Sequence, residues 1–293
     1  MVWLLLSVVC NLAIAMIFKI SEKKDLDRTA LLTVNYAVAG LIAGVLIAVE
    51  GARQSVHVST GLVVLGMSTG ALFIAGFYVF SYAIRETGMG LATGVMRIAV
   101  VLPVLASWLI WNEQPLDRQL VGLGIACVAF FLIGKQTNGK PRTTTLGVKP
   151  SGRSLAVLAL LFLAGGLVDV AMKAFSELFS PANSEALFLV FVFWVAFTIG
   201  FVVVLGRWVR TRESLQSGIL GLGVGLGIAN YGSAAFILKA ITELPGPFVF
   251  PANSIAIVAG AALLGAFFWK ERYSGWNILG LTCAVVSLVL LWR

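Results

Sequence analysis

Along the chain, long apolar stretches alternate with short polar breaks. A bilayer's hydrocarbon core, about 30 Å thick, takes roughly 20 apolar residues to cross as a helix, and stretches of that size recur ten times. They predict helices at about 3–20, 30–49, 59–84, 90–110, 117–134, 154–177, 184–206, 215–239, 246–269 and 274–292. The runs are continuous rather than alternating, which fits helices and not barrel strands, and in lipid every backbone group must find its partner internally. The opening MVWLLLSVVC has no basic leading region and reads as a retained span rather than a cleaved signal. One break is long. Residues 135–153, KQTNGKPRTTTLGVKPSGR, are polar, basic and rich in Pro, Gly and Thr, and read as a flexible linker. The expected class is an all-α integral membrane protein: residues 1–134, a linker 135–153, and residues 154–293.

The two halves repeat. WNEQPLDRQLVGLGIA near the end of the first matches WKERYSGWNILGLTCA near the end of the second. Trp111, Glu113, Gly122 and Ala126 then meet Trp269, Glu271, Gly280 and Ala284. Upstream, Gly61, Gly66, Gly70, Ala83 and Glu86 meet Gly218, Gly223, Gly227, Ala240 and Glu243, and Lys19 meets Lys173. Five spans per copy is odd, so the second copy must run through the membrane inverted, and aligned loops must face opposite compartments.

Basic residues, which mark cytoplasmic loops, obey that demand. Lys23, Lys24 and Arg28 align with a segment free of Lys and Arg; Arg53 alone faces Arg207, Arg210 and Arg212. Arg85 faces Thr242, and Asn112 and Gln114 face Lys270 and Arg272. One orientation satisfies all four pairs, with both termini outside and the 135–153 linker in the cytoplasm. It puts fourteen of the 21 Lys and Arg in cytoplasmic loops, four outside and three within spans.

Composition agrees. The chain is 59% hydrophobic and 12% charged, with a mean hydropathy of +0.98, against roughly 45–50% and 25% in soluble domains. The single His57 and the three cysteines, Cys10, Cys127 and Cys283, argue against a His-ligated metal, a serine triad or a disulfide framework. The net charge of +8 is accounted for by the cytoplasmic loops, so nucleic acid is not the expected partner. No catalytic residue, metal or cofactor is expected.

Two five-helix repeats, each closing with an aromatic-x-Glu and a Gly-bearing last helix, resemble the ten-helix EamA-type branch of the drug/metabolite transporter superfamily. The residues carrying the resemblance are Glu113 with Gly122, Glu271 with Gly280, Lys19 and Lys173, and Pro103 ten residues before Glu113. The second copy departs from the pattern, with Gly260 or Ala261 where Pro103 stands. The resemblance implies a secondary transporter, often an exporter, whose cavity is lined mainly by the first, third, fourth, sixth, eighth and ninth helices.

Three ionic groups lie well inside spans, where each costs about 2.5–3.5 kcal/mol on the insertion scale. Arg97, roughly 10 Å into the fourth span, cannot shed its charge and wants a carboxylate or phosphate. Either Asp169 or a substrate anion satisfies it. Asp169, roughly 22 Å from the start of the sixth span, stands four residues from Lys173, close enough to pair along one helix face. Polar candidates for the cavity are Asn11, Tyr78, Tyr82, Asn230, Tyr231, Asn253 and Ser254, although Asn and Ser also join helices to one another in membranes. Pro103, Pro247 and Pro251 are candidate hinges. Glu113 and Glu271 read as caps for the spans that follow them. Gly40/Gly44, Gly66/Gly70 and Gly221/Gly225 have the small-xxx-small spacing of close helix contacts.

These residues favour export of a small polar metabolite, such as an amino acid or another carboxylate, by alternating access. Multidrug or cation efflux by proton antiport is the alternative, and an integral-membrane enzyme or scaffold is the alternative of another class. The expected partners are the small-molecule substrate and the lipid bilayer, with protons the candidate coupling ion and a homodimer the candidate assembly.

Overall fold

The structure, a computed structural model, describes residues 1–51, 58–134, 152–212, 216–270 and 274–292. Arg53, His57, Glu271, Arg272 and most of the 135–153 linker lie outside the described residues. The rest form eleven helices and no strand: α1 (Val2–Lys23), α2 (Arg28–Gly51), α3 (Thr60–Thr87), α4 (Met89–Ile98), α5 (Val101–Leu109), α6 (Asp117–Gly134), α7 (Gly152–Leu178), α8 (Glu185–Thr211), α9 (Ile219–Glu243), α10 (Gly246–Trp269) and α11 (Gly275–Leu291). Eight stretches are long and apolar enough to cross a membrane, and α11 is a shorter apolar helix. Each predicted span has its helix, with ends shifted by a few residues.

The fourth span is the exception to a simple reading. Expected as one helix over 90–110, it is α4 and α5, broken at Ala99 and Val100. Pro103 has no N–H to offer the Ala99 carbonyl, and its ring crowds that turn. The chain tightens instead: Val100 N–H donates to the Arg97 carbonyl at 3.3 Å and Leu102 N–H to the Ala99 carbonyl at 3.0 Å, both three residues back. The other two candidate hinges do not act this way. Pro247 falls in the first turn of α10, where a missing N–H costs nothing, and α10 runs on through Pro251 without a break.

The helices gather into two compact units, each drawing on both halves of the chain. The first comprises Met1–Ile74 and Ala174–Glu243; the second comprises Ala75–Lys173 and Leu244–Arg293. Helices α3 and α7 contribute to both.

In the first unit α2 packs on α8 and α9, and α1 on α9. Glycine decides how closely. A Cβ on Gly66 would stand 2.7 Å from Phe191 Cβ, and one on Gly70 would collide with the Val192 carbonyl, so this predicted pair is used. On α9 the expected Gly221/Gly225 pair is not the contact. Gly223 and Gly227 are, since a Cβ there would come within 2.7 Å of Val34 Cβ and 2.6 Å of Val38 Cβ. In GLGVGLG a four-residue spacing occurs in two overlapping registers, and spacing alone cannot say which one faces α2. Gly227→Val is accordingly expected to abolish recovery of folded protein, whereas Gly221→Ala, with nothing within 4 Å of its Cβ, should leave the yield unchanged. Size-exclusion profiles of the two variants check this. Polar ties close both ends of the unit: Trp3 Nε1 donates to Glu243 at 2.7 Å, and Arg207 pairs with Asp27 at 2.6 Å.

In the second unit α6 lies along α11. Here the repeat's two matched glycines do reciprocal work. Gly122 takes α11 against its face, and a Cβ on Gly280 would stand 2.7 Å from Ile133 Cγ1 of α6. Ser287 Oγ donates to the Gly122 carbonyl at 2.6 Å and Asn277 Nδ2 to the Ile133 carbonyl at 2.9 Å. The final-helix glycine of the motif is therefore a packing residue.

Candidate functional site

Arg97 and Asp169 both belong to the second unit. Arg97 is in the last turn of α4, two residues before the break that Pro103 imposes. Asp169 is on α7, and a pair of glycines lets α7 close on the broken span. A Cβ on Gly165 would meet Ala99 Cβ at 3.5 Å, and one on Gly166 would stand 2.7 Å from Leu102 Cβ and 2.9 Å from the Ala99 carbonyl. Asp169 follows Gly165 by one turn, on the same face. Each charge is the opposite charge that acts on the other. Neither makes a hydrogen bond or ion pair within 4.0 Å to any described residue. Both are half-buried. Two opposite charges thus lie inside membrane spans, mutually attracted yet unjoined.

Lys173 goes elsewhere. The expected pairing with Asp169 is replaced by one with Glu113: Lys173 Nζ, wholly buried, lies 2.7 Å from Glu113 Oε1. Glu113's other oxygen accepts from the Gly246 N–H, at 2.8 Å, at the start of α10. Glu113 thus caps α10 rather than the following span α6, as its place in the sequence had suggested. A carboxylate at a helix start is favourable wherever the fold brings one, and partners distant in sequence give no periodic signal. Glu113 is held by its own N–H donating to the Ser107 carbonyl at 3.0 Å, after Asn112 takes the left-handed conformation, φ 56°. Its repeat partner, Glu271, lies outside the described residues.

The remaining candidates divide between the units. In the second, Tyr82 is engaged by Arg153, whose guanidinium bonds its hydroxyl and lies 5.6 Å from the ring centroid; that ties α3 to the start of α7. Tyr78 packs edge-on against Phe77. On α10 Asn253 keeps a buried Oδ1 with no partner among the described residues, and Ser254 is half-buried. In the first unit, Asn11 Nδ2 donates to Ser233 Oγ at 2.6 Å and to the Ser7 carbonyl at 2.9 Å, joining α1 to α9. Asn230 is half-buried. Tyr231 borders an aromatic cluster around Phe193, which also meets Tyr36 and Phe73. Sequence reasoning missed Ser107, Gly166 and Gly246, small residues whose importance lies in what touches them. Among the described residues no group of His, Cys, Asp and Glu could hold a metal.

Comparison with known proteins gives a consistent picture. The model of the EamA-like transporter family matches residues 1–135. An uncharacterized protein of Haemophilus influenzae is 23% identical over 296 residues, covering 99% of this chain and 97% of its own length. A solved crystal structure superposes with a TM-score of 0.71 at 13% identity, covering 98% of this chain and 97% of the other. That likeness speaks for the fold alone.

Proposed function

We propose that this chain, whose residues 1–135 match the EamA-like transporter family, is a secondary transporter that exports a small zwitterionic metabolite such as an amino acid. The substrate's carboxylate is taken by Arg97 and its ammonium by Asp169, and alternating access opens that site to one side of the membrane at a time. The observation supporting this reading is the attraction between two intramembrane charges that no bond joins. A guanidinium presents a planar fork suited to a carboxylate, and an intramembrane ion without a protein partner is a substrate or ion site by default. Ten spans return the chain to its starting side, and the excess of Lys and Arg in alternate loops favours termini outside and the 135–153 linker in the cytoplasm.

A second reading is cation efflux driven by protons. Asp169 favours it, because Lys173 is bonded to Glu113 and leaves that carboxylate for a substrate cation. Arg97 opposes it, since a fixed positive charge beside the site repels a cationic drug. Reconstituted vesicles separate the two. Export of radiolabelled amino acids, blocked by excess unlabelled zwitterion and not by cationic dyes, is the expected result. Dye export that runs down when the pH gradient is collapsed, with amino acids inert, would replace the first reading by the second.

A further inference from the structure

The surroundings of the Glu113 carboxylate amount to an anion seat. Two donors bond it: the buried Lys173 ammonium, 2.7 Å from Oε1, and the Gly246 N–H at the positive end of α10, 2.8 Å from Oε2; a third donor, the Ser107 hydroxyl, stands beside Gly246 without bonding the carboxylate. Ser107 is 0% exposed, and its Oγ has no partner among the described residues. It lies against Gly246 so closely that a Cβ on that glycine would collide with it, while the same Cβ would stand 3.1 Å from Glu113 Oε2. Ammonium, helix-end amide and hydroxyl form the donor set that proteins offer to carboxylates and phosphates. The anion in the seat belongs to a connecting segment, 110–116, and not to a helix.

We infer that Glu113 is the resident anion of a carboxylate-binding site formed by Lys173, Gly246 and Ser107, and that a small free carboxylate takes the site when Glu113 leaves it. Glu113 holds α7 and α10 together through its two oxygens, so its departure loosens that end of the unit. A carboxylate from solution keeps the buried ammonium neutralised meanwhile, removing the main cost of the departure. Exchange with the carboxylate of a transported substrate rests on the function proposed above; the site itself does not, because none of its atoms belongs to Arg97 or Asp169.

The test is a melting titration of purified full-length protein with formate, against chloride at equal ionic strength. Glu113→Ala empties the seat. Formate should then raise its melting temperature saturably, by about 5 °C beyond chloride. It should not do so for the wild type, whose seat is full, or for Glu113→Ala with Lys173→Met, whose ammonium is gone. Should Glu113→Ala not be recovered folded, Glu113→Ser is read by the same outcomes. Equal effects of formate on wild type and variant, or none beyond chloride in either variant, would overturn the inference. Transport lost on changing Arg97 while the formate effect persists would leave the seat standing, and the reverse result would remove the seat and leave the substrate site.

Discussion

Arg97→Ala is expected to abolish transport while leaving the yield of folded protein unchanged. The side chain makes no hydrogen bond or ion pair with any described residue, so its removal breaks none. Asp169 then faces no cation, but a carboxyl, unlike a guanidinium, can give up its charge by taking a proton, and the fold tolerates that. The substrate, by contrast, loses the partner of its carboxylate. Truncating one side of a buried charge pair costs about 2–5 kcal/mol, a loss in affinity of roughly 30-fold or more. Arg97→Lys should recover part of it, because an ammonium supplies the charge without the two-pronged geometry. Initial rates in vesicles, normalised to folded protein, measure the effect; wild-type rates in Arg97→Ala would sink the substrate assignment.

The second large effect is on stability. Lys173→Met should lower the melting temperature sharply, since breaking a buried ion pair by removing one partner costs about 3–5 kcal/mol. Adding Glu113→Gln should restore part of the loss: the amide keeps an oxygen for the Gly246 N–H and no longer leaves an uncompensated charge. A double variant less stable than Lys173→Met alone would contradict the pairing. The corresponding change at Asp169, Asp169→Asn, should lower the melting temperature by less than Lys173→Met does, because that carboxylate has no bonded partner among the described residues to lose and acts on Arg97 only across a gap. The contrast between two charged residues four apart on one helix separates a structural ion from a functional one.

How much of this was legible in the sequence depends on the range of the interaction. Spans were, because lipid imposes a continuous apolar run of fixed length on each. The break in the fourth span was half legible: Pro103 was visible as a candidate hinge, but so was Pro251, and α10 continues through it. Local context does not reveal whether neighbouring helices repair a missing hydrogen bond. Gly122 and Gly280 were visible as motif residues, and only the fold shows each pressed against the other's helix. Lys173 was assigned to Asp169 because four residues on a helix is the nearest available partner. Its partner is sixty residues away in Glu113, a distance at which sequence spacing says nothing. Arg97 and Asp169 were found for the opposite reason: an ion in an apolar span stands out whatever its surroundings.

Everything proposed about transport depends on one unit of five spans being used twice with opposite orientation. Single cysteines placed at residue 1, in the 135–151 segment and at residue 293 of a cysteine-free chain, labelled in intact cells with an impermeant maleimide, test it most directly. The account predicts labelling of both ends from outside and of the middle segment only after the cells are opened. Ends that label from different sides, or a middle segment that labels together with them, would contradict it.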